Sequence, residues 1–589
     1  MLYSELVQLY QELEKTSKRL EKTKILAEFI EHLNEQEYES LFLLIEGRVF
    51  PVWDERVIGV ASKLVLKAIS LATGADVELV EKQWKKTGNL GDVVEQIKKK
   101  KQQTTLSTEQ LTAKKVFANL QKIATIQGAG SVDKKLSLIV DLLTSATPPE
   151  AKYIIRTVLE DLRIGLGEGT LRDAIVWANF SKELGLQYNL ESNEVLLPDN
   201  NRDKYNEYLD AAQQAYDRTN DFATVAHAAR KGITHLQIIP LTQGKPLNVM
   251  LYPKAESIAE AFEIVGTPAA FEYKYDGFRL QIHKVGKRVL LFTRRLENVT
   301  EQFPEVVTAV KENVTAERVI LDSEAVGYDP ATKKYVPFQK ISQRIKRKYD
   351  IAEMAKEYPM ELILFDILHQ EGKDLMSLAF GKRRALLNKI VKQKPHTIRL
   401  AEQIITADTA EAEKFYQQAL HAGEEGVMVK NITAPYQPGR HVGGGVKIKP
   451  TLDALDAVII GAEWGEGKRS KWLSSFSIAV RDSKGEFKEV GKVATGLKEK
   501  TEEGVSFDQI TELLKPYFIA EKGKEVVVKP AIIIEVQYEE VQESPSYNSG
   551  YALRFPRFIR LREDKGPEDA STIEDLKKIY DKQRGRGKK

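Results

Sequence analysis

The sequence predicts three successive domains of different class: all-α over residues 1–235, mixed α+β over 236–450, and a β-barrel with a C-terminal helix over 451–589. Three observations carry that division. Apolar residues recur at helical spacing through the first region. Short β-branched and aromatic runs replace them after a Pro/Gly-bearing connector. The last region is mostly strand, interrupted by one helix. A length of 589 residues accommodates all three, since a domain ordinarily takes about 100–200.

In the first region Leu6, Leu9, Leu13, Leu20, Ile25, Phe29 and Ile30 mark amphipathic helix in a charged background. Similar patterns cover 55–71, 108–123, 133–143, 149–162 and 209–229. Turn-forming residues separate them: Gly74-Ala75-Asp76, Gly128-Ala129-Gly130 and Gly165-Leu166-Gly167-Glu168-Gly169. Lys98-Lys99-Lys100-Lys101-Gln102-Gln103 reads as a charged loop. No fixed period recurs, which argues against a solenoid.

The connector Ile238-Ile239-Pro240-Leu241-Thr242-Gln243-Gly244-Lys245-Pro246 ends this region. Strands are predicted beyond it at 271–273, 278–282, 289–293, 319–325, 362–367, 426–429 and 446–448, with helices at 258–264, 382–390 and 410–422. From Leu455 strands are predicted at 457–461, 476–480, 487–493, 525–528 and 532–538, with a helix at 506–517. Five strands and an intervening helix fit an OB-fold. A terminal helix at 572–580 precedes a basic tail, 584–589.

Composition narrows the chemistry. Absence of cysteine removes disulfides, thiol catalysis, thiolate-bound zinc and iron–sulfur clusters together. The 8 histidines include no His-Glu-x-x-His spacing, which disfavours a zinc hydrolase. Any metal should therefore be a hard cation on oxygen ligands. The 88 basic and 85 acidic residues nearly cancel, so local distribution must decide on a nucleic-acid partner. No run approaches ~18 apolar residues, and the first residues lack a signal-peptide pattern. A cytoplasmic location without membrane contact is expected.

The chemistry centres on Glu272-Tyr273-Lys274-Tyr275-Asp276-Gly277-Phe278-Arg279, where Lys274 lies between two predicted strands in a turn set by Asp276 and Gly277. A lysine nucleophile must lose its proton, which nearby positive charge or a desolvating pocket promotes. Taken alone, Lys-x-Asp-Gly reads as a surface turn. It does not stand alone. In chain order follow Phe292-Thr293-Arg294-Arg295, Leu321-Asp322-Ser323-Glu324-Ala325, Leu364-Phe365-Asp366-Ile367, Glu424-Glu425-Gly426-Val427-Met428-Val429-Lys430, Val446-Lys447-Ile448-Lys449-Pro450 and Arg554-Phe555-Pro556-Arg557-Phe558-Ile559-Arg560-Leu561-Arg562-Glu563-Asp564-Lys565.

This ordered set resembles the nucleotidyltransferase motifs of the ATP-dependent DNA ligases, in the three-domain replicative form of archaea and eukaryotes. The resemblance spans essentially the whole chain. It implies an all-α DNA-binding domain, an α+β adenylation domain and an OB-fold domain. It also implies a monomeric enzyme that seals 3′-hydroxyl/5′-phosphate nicks in duplex DNA through lysyl-AMP and DNA-adenylate, in replication, repair and recombination. Lys274 is then the nucleophile toward the α-phosphate of ATP. Arg279, Arg294, Lys447 and Lys449 supply positive charge to the triphosphate. Glu324 and Glu425, on separate strands of one pocket, hold Mg²⁺, with Mn²⁺ as the alternative. Phe365, following an apolar strand, stacks on adenine, and Glu272 binds the adenine or ribose edge. Arg440 is a further ATP contact. Arg562, Asp564 and Lys565 orient the pyrophosphate when the barrel closes.

The chain departs from the family pattern at His441, where relatives often carry a second arginine, at Gly443-Gly444-Gly445, and at Thr293 in place of serine. Use of ADP or NAD beside ATP stays open on that account. Gly465-Glu466-Gly467-Lys468-Arg469-Ser470 lacks the spacer of a phosphate-binding loop, and Gly165-Leu166-Gly167-Glu168-Gly169 follows no strand. By resemblance, Gly128-Ala129-Gly130-Ser131 and residues 163–169 meet phosphates across a minor groove. Gln103-Thr104-Thr105-Leu106 begins like a sliding-clamp hook but lacks the aromatic pair, which keeps the clamp a candidate partner only.

Three competing readings are weaker. An RNA ligase or GTP-using capping enzyme shares Lys-x-Asp-Gly, but the long helical domain and the Arg-Phe-Pro-Arg stretch speak against it. A scaffold with a dead pocket predicts loss of Lys274, Glu324, Glu425 or Lys449, all of which are present. The NAD-dependent bacterial ligases carry a four-cysteine zinc module, and cysteine is absent here.

Overall fold

In the computed structural model, which describes residues 1–100, 110–128, 130–198, 201–345, 347, 349–440, 444–450, 454–465, 469 and 471–583, the first region is built of helices. One apolar core runs from Tyr3 to Ile239. Several expectations are corrected. The pattern at 55–71 yields a helix only over Ser62–Thr73. The 209–229 stretch is two helices, Arg202–Thr219 and Phe222–Lys231. Asn220 breaks them with a left-handed φ of 49°. Asp221 then caps the second helix, accepting from the Ala223 and Thr224 amides. Lys98, Lys99 and Lys100 form the last turn of helix Leu90–Lys100, where cations face the negative helix end. A short hairpin, Gln187–Asn189 with Glu194–Leu196, interrupts the helical region. The clamp-like residues 103–106, Ala129, the glycine-lysine loop 466–468 and the tail 584–589 lie outside the described residues.

By compactness the chain divides into two units: Met1–Tyr252, Gly277–Ala401 and Ile432–Gly444 form the first, and Pro253–Asp276, Glu402–Asn431 and Gly445–Lys589 the second. The mixed region is thereby divided, and each part has its own sheet. In the first unit the strand order is Lys373–Asp374, Met360–Gln370, Arg318–Gly327, Phe278–Val285, Arg288–Thr293, all antiparallel neighbours. Ile398–Leu400 pairs parallel to Met360–Gln370. Alternation puts Leu280, Ile282, Leu321, Ala325, Leu362 and Leu364 into one core.

The second unit has a five-stranded sheet in the order Gln403–Thr406, Ala269–Tyr273, Val427–Asn431, Gly445–Ile448, Lys254–Ala255. Its apolar face, including Phe271, Val427, Val429, Val446 and Ile448, packs in one core with residues of helices Ile258–Val265 and Thr409–His421. The OB-like part forms a seven-stranded sheet rather than five strands, plus the hairpin Glu540–Glu543 with Tyr551–Arg554. Phe518–Lys522 and Arg557–Leu561 are the additions within that sheet. Both are short, charged and largely exposed, so neither carries the alternating apolar signal. Among the described residues no helix is long and apolar enough to cross a membrane.

The connector is strapped to the first unit's sheet. The Gly244 amide donates to His283 Nδ1 at 2.9 Å, so Nε2 carries the proton and donates to Gln281 Oε1 at 2.9 Å. Gln281 in turn accepts from the Leu247 amide at 2.9 Å and donates to its carbonyl at 3.2 Å. Burial, with His369 nearby, pushes the His283 imidazole down to about 3. The neutral ring is thus native, while an opened strap lets the ring take a proton below its ordinary value. Stability of the strap therefore falls as pH drops below about 6.5. Hydrogen-exchange protection factors of the Gly244 and Leu247 amides should fall between pH 7 and about 4.5, by up to about 100-fold. A flat protection profile would contradict this reading.

Candidate active site

Three neighbouring strand ends of the second unit build the first group. Lys274 directly follows strand Ala269–Tyr273. Its amide donates to the Gly426 carbonyl at 2.9 Å, and the Glu425 amide donates to the Lys274 carbonyl at 2.9 Å. The ladder with Val427–Asn431 thereby extends by one step and sets the two side chains together. Glu425 lies in the turn before that strand rather than on it. Gly426 allows the turn: its φ is +141°, and a Cβ there would stand 2.1 Å from the Ile448 carbonyl oxygen. Lys449 follows the third strand, Gly445–Ile448.

The side chains then converge. Glu425 Oε2 lies 2.5 Å from Lys274 Nζ and 2.9 Å from Lys449 Nζ. Burial works to raise the Glu425 carboxyl, but the Lys274 and Lys449 ammoniums prevail and hold it well below the usual carboxylate range. Alternation continues the charged face inward. Glu272 is buried, with Lys430 Nζ at 2.5 Å and Gln403 Nε2 donating at 2.8 Å. Lys447 shares this face, its backbone paired with Met428 and Lys254. Lys430 and Gln403 were not anticipated, although Lys430 stands in the Glu424–Lys430 motif at the spacing that shares the face.

A second group lies on the first unit's sheet. Arg279 and Glu324 are direct cross-strand neighbours, and Asp322 is two residues from Glu324 on the same face. Arg279 is bidentate with buried Asp322 and also donates to the Met250 carbonyl at 2.7 Å and the Tyr436 hydroxyl at 3.1 Å. Its charge is therefore already balanced by Asp322, which sequence reasoning quoted but did not use. Phe365 lies inside strand Met360–Gln370, not after it. It is the extra residue of a register shift, since Ser323 pairs Leu364 while Asp322 pairs Asp366. Asp366 is held there by Arg383 at 2.8 and 2.9 Å. The Arg279 guanidinium lies 5.4 Å from the Phe365 ring centre. Arg294 is exposed just past its strand, and Arg440 pairs by backbone with Leu251. His441 and Gly443 lie outside the described residues.

The third group belongs to the OB-like part. Arg562 donates to Asp564 at 2.9 and 2.8 Å and to Asp456 at 2.9 Å, and Lys565 Nζ meets Asp456 at 2.5 Å. Asp456 thus gathers Arg562 and Lys565, a role nothing in its local sequence announced. Phe555, in the same motif, is 66% exposed with a φ of 52°, and Arg554 lies over its ring. Among the described residues no group of three or more His, Asp or Glu side chains is placed to hold a metal ion. Glu324 in the first unit and Glu425 in the second are each hard oxygen donors of the kind Mg²⁺ takes.

Comparison with known proteins gives the family. Residues 249–449 match the family described as ATP dependent DNA ligase domain, residues 2–176 the DNA ligase N terminus, and residues 469–565 the ATP dependent DNA ligase C terminal region. The chain is 48% identical over 589 residues to a DNA ligase of Nanoarchaeum equitans, covering 99% of each. It is 42% identical over 582 residues to a DNA ligase of Thermococcus fumicolans, covering 98% of each. A solved structure titled Pmar-Lig_PreS3 shares the fold at a TM-score of 0.54 and 16% identity, over 94% of this chain and 99% of that one. Fold and charged strand ends together define a nucleotidyltransferase. The chain belongs to the ATP-dependent DNA ligases.

The buried Glu272–Lys430 pair carries a direct consequence. Glu272→Gln removes the charge that offsets Lys430, which should cost about 3 kcal/mol of stability. Chemical denaturation of the variant beside the native chain measures it, and an unchanged midpoint would refute the pairing.

Proposed function

We propose that this enzyme seals nicks through a covalent adenylate on Lys274, and the carrying observation is the ion pair of Lys274 with Glu425 at 2.5 Å. Lys274 Nζ attacks the α-phosphorus of ATP, a P–N bond forms, and pyrophosphate leaves. The ammonium must first give up a proton to water, since Glu425, held well below the usual carboxylate range, positions the amine but accepts a proton poorly. The second step moves AMP to the 5′-phosphate of the nick. The third joins the 3′-hydroxyl to that phosphate and releases AMP.

Lys447 and Lys449 are assigned to the phosphates of ATP. Phe365 is assigned to the flat face of the base, with Arg279 and Asp322 fixing its surroundings, and Glu272 to the adenine or ribose edge. Arg294 and Arg440 remain candidates for the triphosphate. Bound Mg²⁺ would neutralise phosphate charge beside Glu324 and Glu425. Arg562, Asp564 and Lys565 are assigned to pyrophosphate departure. Arg163, Gly165 and Gly167 are assigned to DNA phosphates, and exposed Phe555 with Arg554 and Arg557 to the duplex. The enzyme is read as a cytoplasmic monomer.

Lys274→Ala should abolish lysyl-AMP formation and the sealing of unadenylated nicks. Sealing of a nick already bearing 5′-AMP should persist, because the last step uses no lysine nucleophile. Equal loss on both substrates would make Lys274 structural. Lys565→Ala should slow self-adenylation about 100-fold while changing the sealing of pre-adenylated nicks far less. Normal adenylation by this variant with failed sealing would overturn its assignment.

A further inference from the structure

Glu539 reaches the nucleotide lysines from the OB-like part of the second unit. It sits between strands Ile533–Gln537 and Glu540–Glu543, its amide bonded to the Arg554 carbonyl at 2.9 Å. Its carboxylate Oε2 lies 3.0 Å from Lys449 Nζ, the same ammonium that Glu425 holds at 2.9 Å. Arg554 of the neighbouring strand stands 3.8 Å from the other Glu425 oxygen. Partial burial would raise the Glu539 carboxyl, and Lys449, Arg554 and Lys447 together hold it below its ordinary value. An anionic oxygen thus stands among cations suited to a phosphate, and it belongs to the protein itself.

We propose that Glu539 is an internal stand-in for phosphate, occupying Lys449 until ATP displaces it. The inference rests on the assignment of Lys449 to ATP. Lys449 already holds Glu425 and Glu539, so a phosphate oxygen brought to it stands beside the Glu539 carboxylate, and the repulsion of the two anions makes binding of one weaken binding of the other. ATP must therefore compete with Glu539. In the adenylated enzyme the phosphate remains on Lys274, beside Lys449, and the Glu539 contact stays broken. The OB-like part is released from this contact by the product of the first step, which ties its freedom to the loading of the enzyme.

The contact is half open to water, and removing it shifts a competition rather than dismantling a core. Glu539→Gln should lower the KM for ATP in self-adenylation by about three- to tenfold and leave the rate at saturating ATP within about twofold. Glu539→Asp, which keeps the charge, should behave like the native chain. Carbodiimide treatment of the native enzyme should join Lys449 to Glu539, and prior adenylation should suppress that product by most of its yield. An unchanged or raised KM in Glu539→Gln, a slowed saturating rate, or an undiminished cross-link after adenylation each overturns the proposal. Native enzyme that forms no lysyl-AMP would defeat the underlying assignment instead. Native enzyme that adenylates while Glu539→Gln shows no change would defeat only the competition.

Discussion

A carboxylate that is only 8% exposed cannot stay charged without cations against it, and Glu425 has two. Lys274 and Lys449 come from the strands on either side, so this one anion ties three chain segments at their ends. The backbone is arranged for it. Gly426 lets the turn pass under the Ile448 carbonyl, and the Lys274–Glu425 backbone bond fixes the register. On the proposed reading, the same contact that balances charge at rest positions the amine that becomes the nucleophile.

Much of this was legible because the strands alternate. Glu272 and Lys274, Met428 and Lys430, Lys447 and Lys449 occupy every second position, while Phe271, Tyr273, Val427, Val429, Val446 and Ile448 take the others. A period of two therefore separates a charged face from a core before any coordinates exist. Phe365 escaped that logic. A register shift inserts it into a strand whose neighbours alternate normally, and the buried Asp366–Arg383 pair that locks the shift joins residues 17 apart in sequence. Asp456 and Glu539 were invisible for a similar reason: each acts on a distant motif, and nothing in its own surroundings is unusual. The division of the mixed region between two compact units was equally hidden, since it follows contacts and not composition.

The OB-like part shows how charge can be stored until used. Arg562 and Lys565 are satisfied by Asp456 and Asp564, and Glu539 by Lys449. Asp564 and Glu539 are open to water, which keeps their pairs of modest worth, whereas Arg562 and Asp456 are largely covered. On the proposed reading, a ligand phosphate takes the place of the carboxylate at the open ones. Buried pairs such as Asp366–Arg383 have no such freedom and hold the frame.

The account stands on Lys274 being the amine that takes up AMP, although Glu425 holds Lys449 as well. Incubation of the enzyme with labelled ATP, followed by peptide mapping under conditions that preserve the phosphoramidate, locates the adduct directly. The proposal predicts a single AMP on Lys274. Label on Lys449, on any other residue, or on none would contradict it.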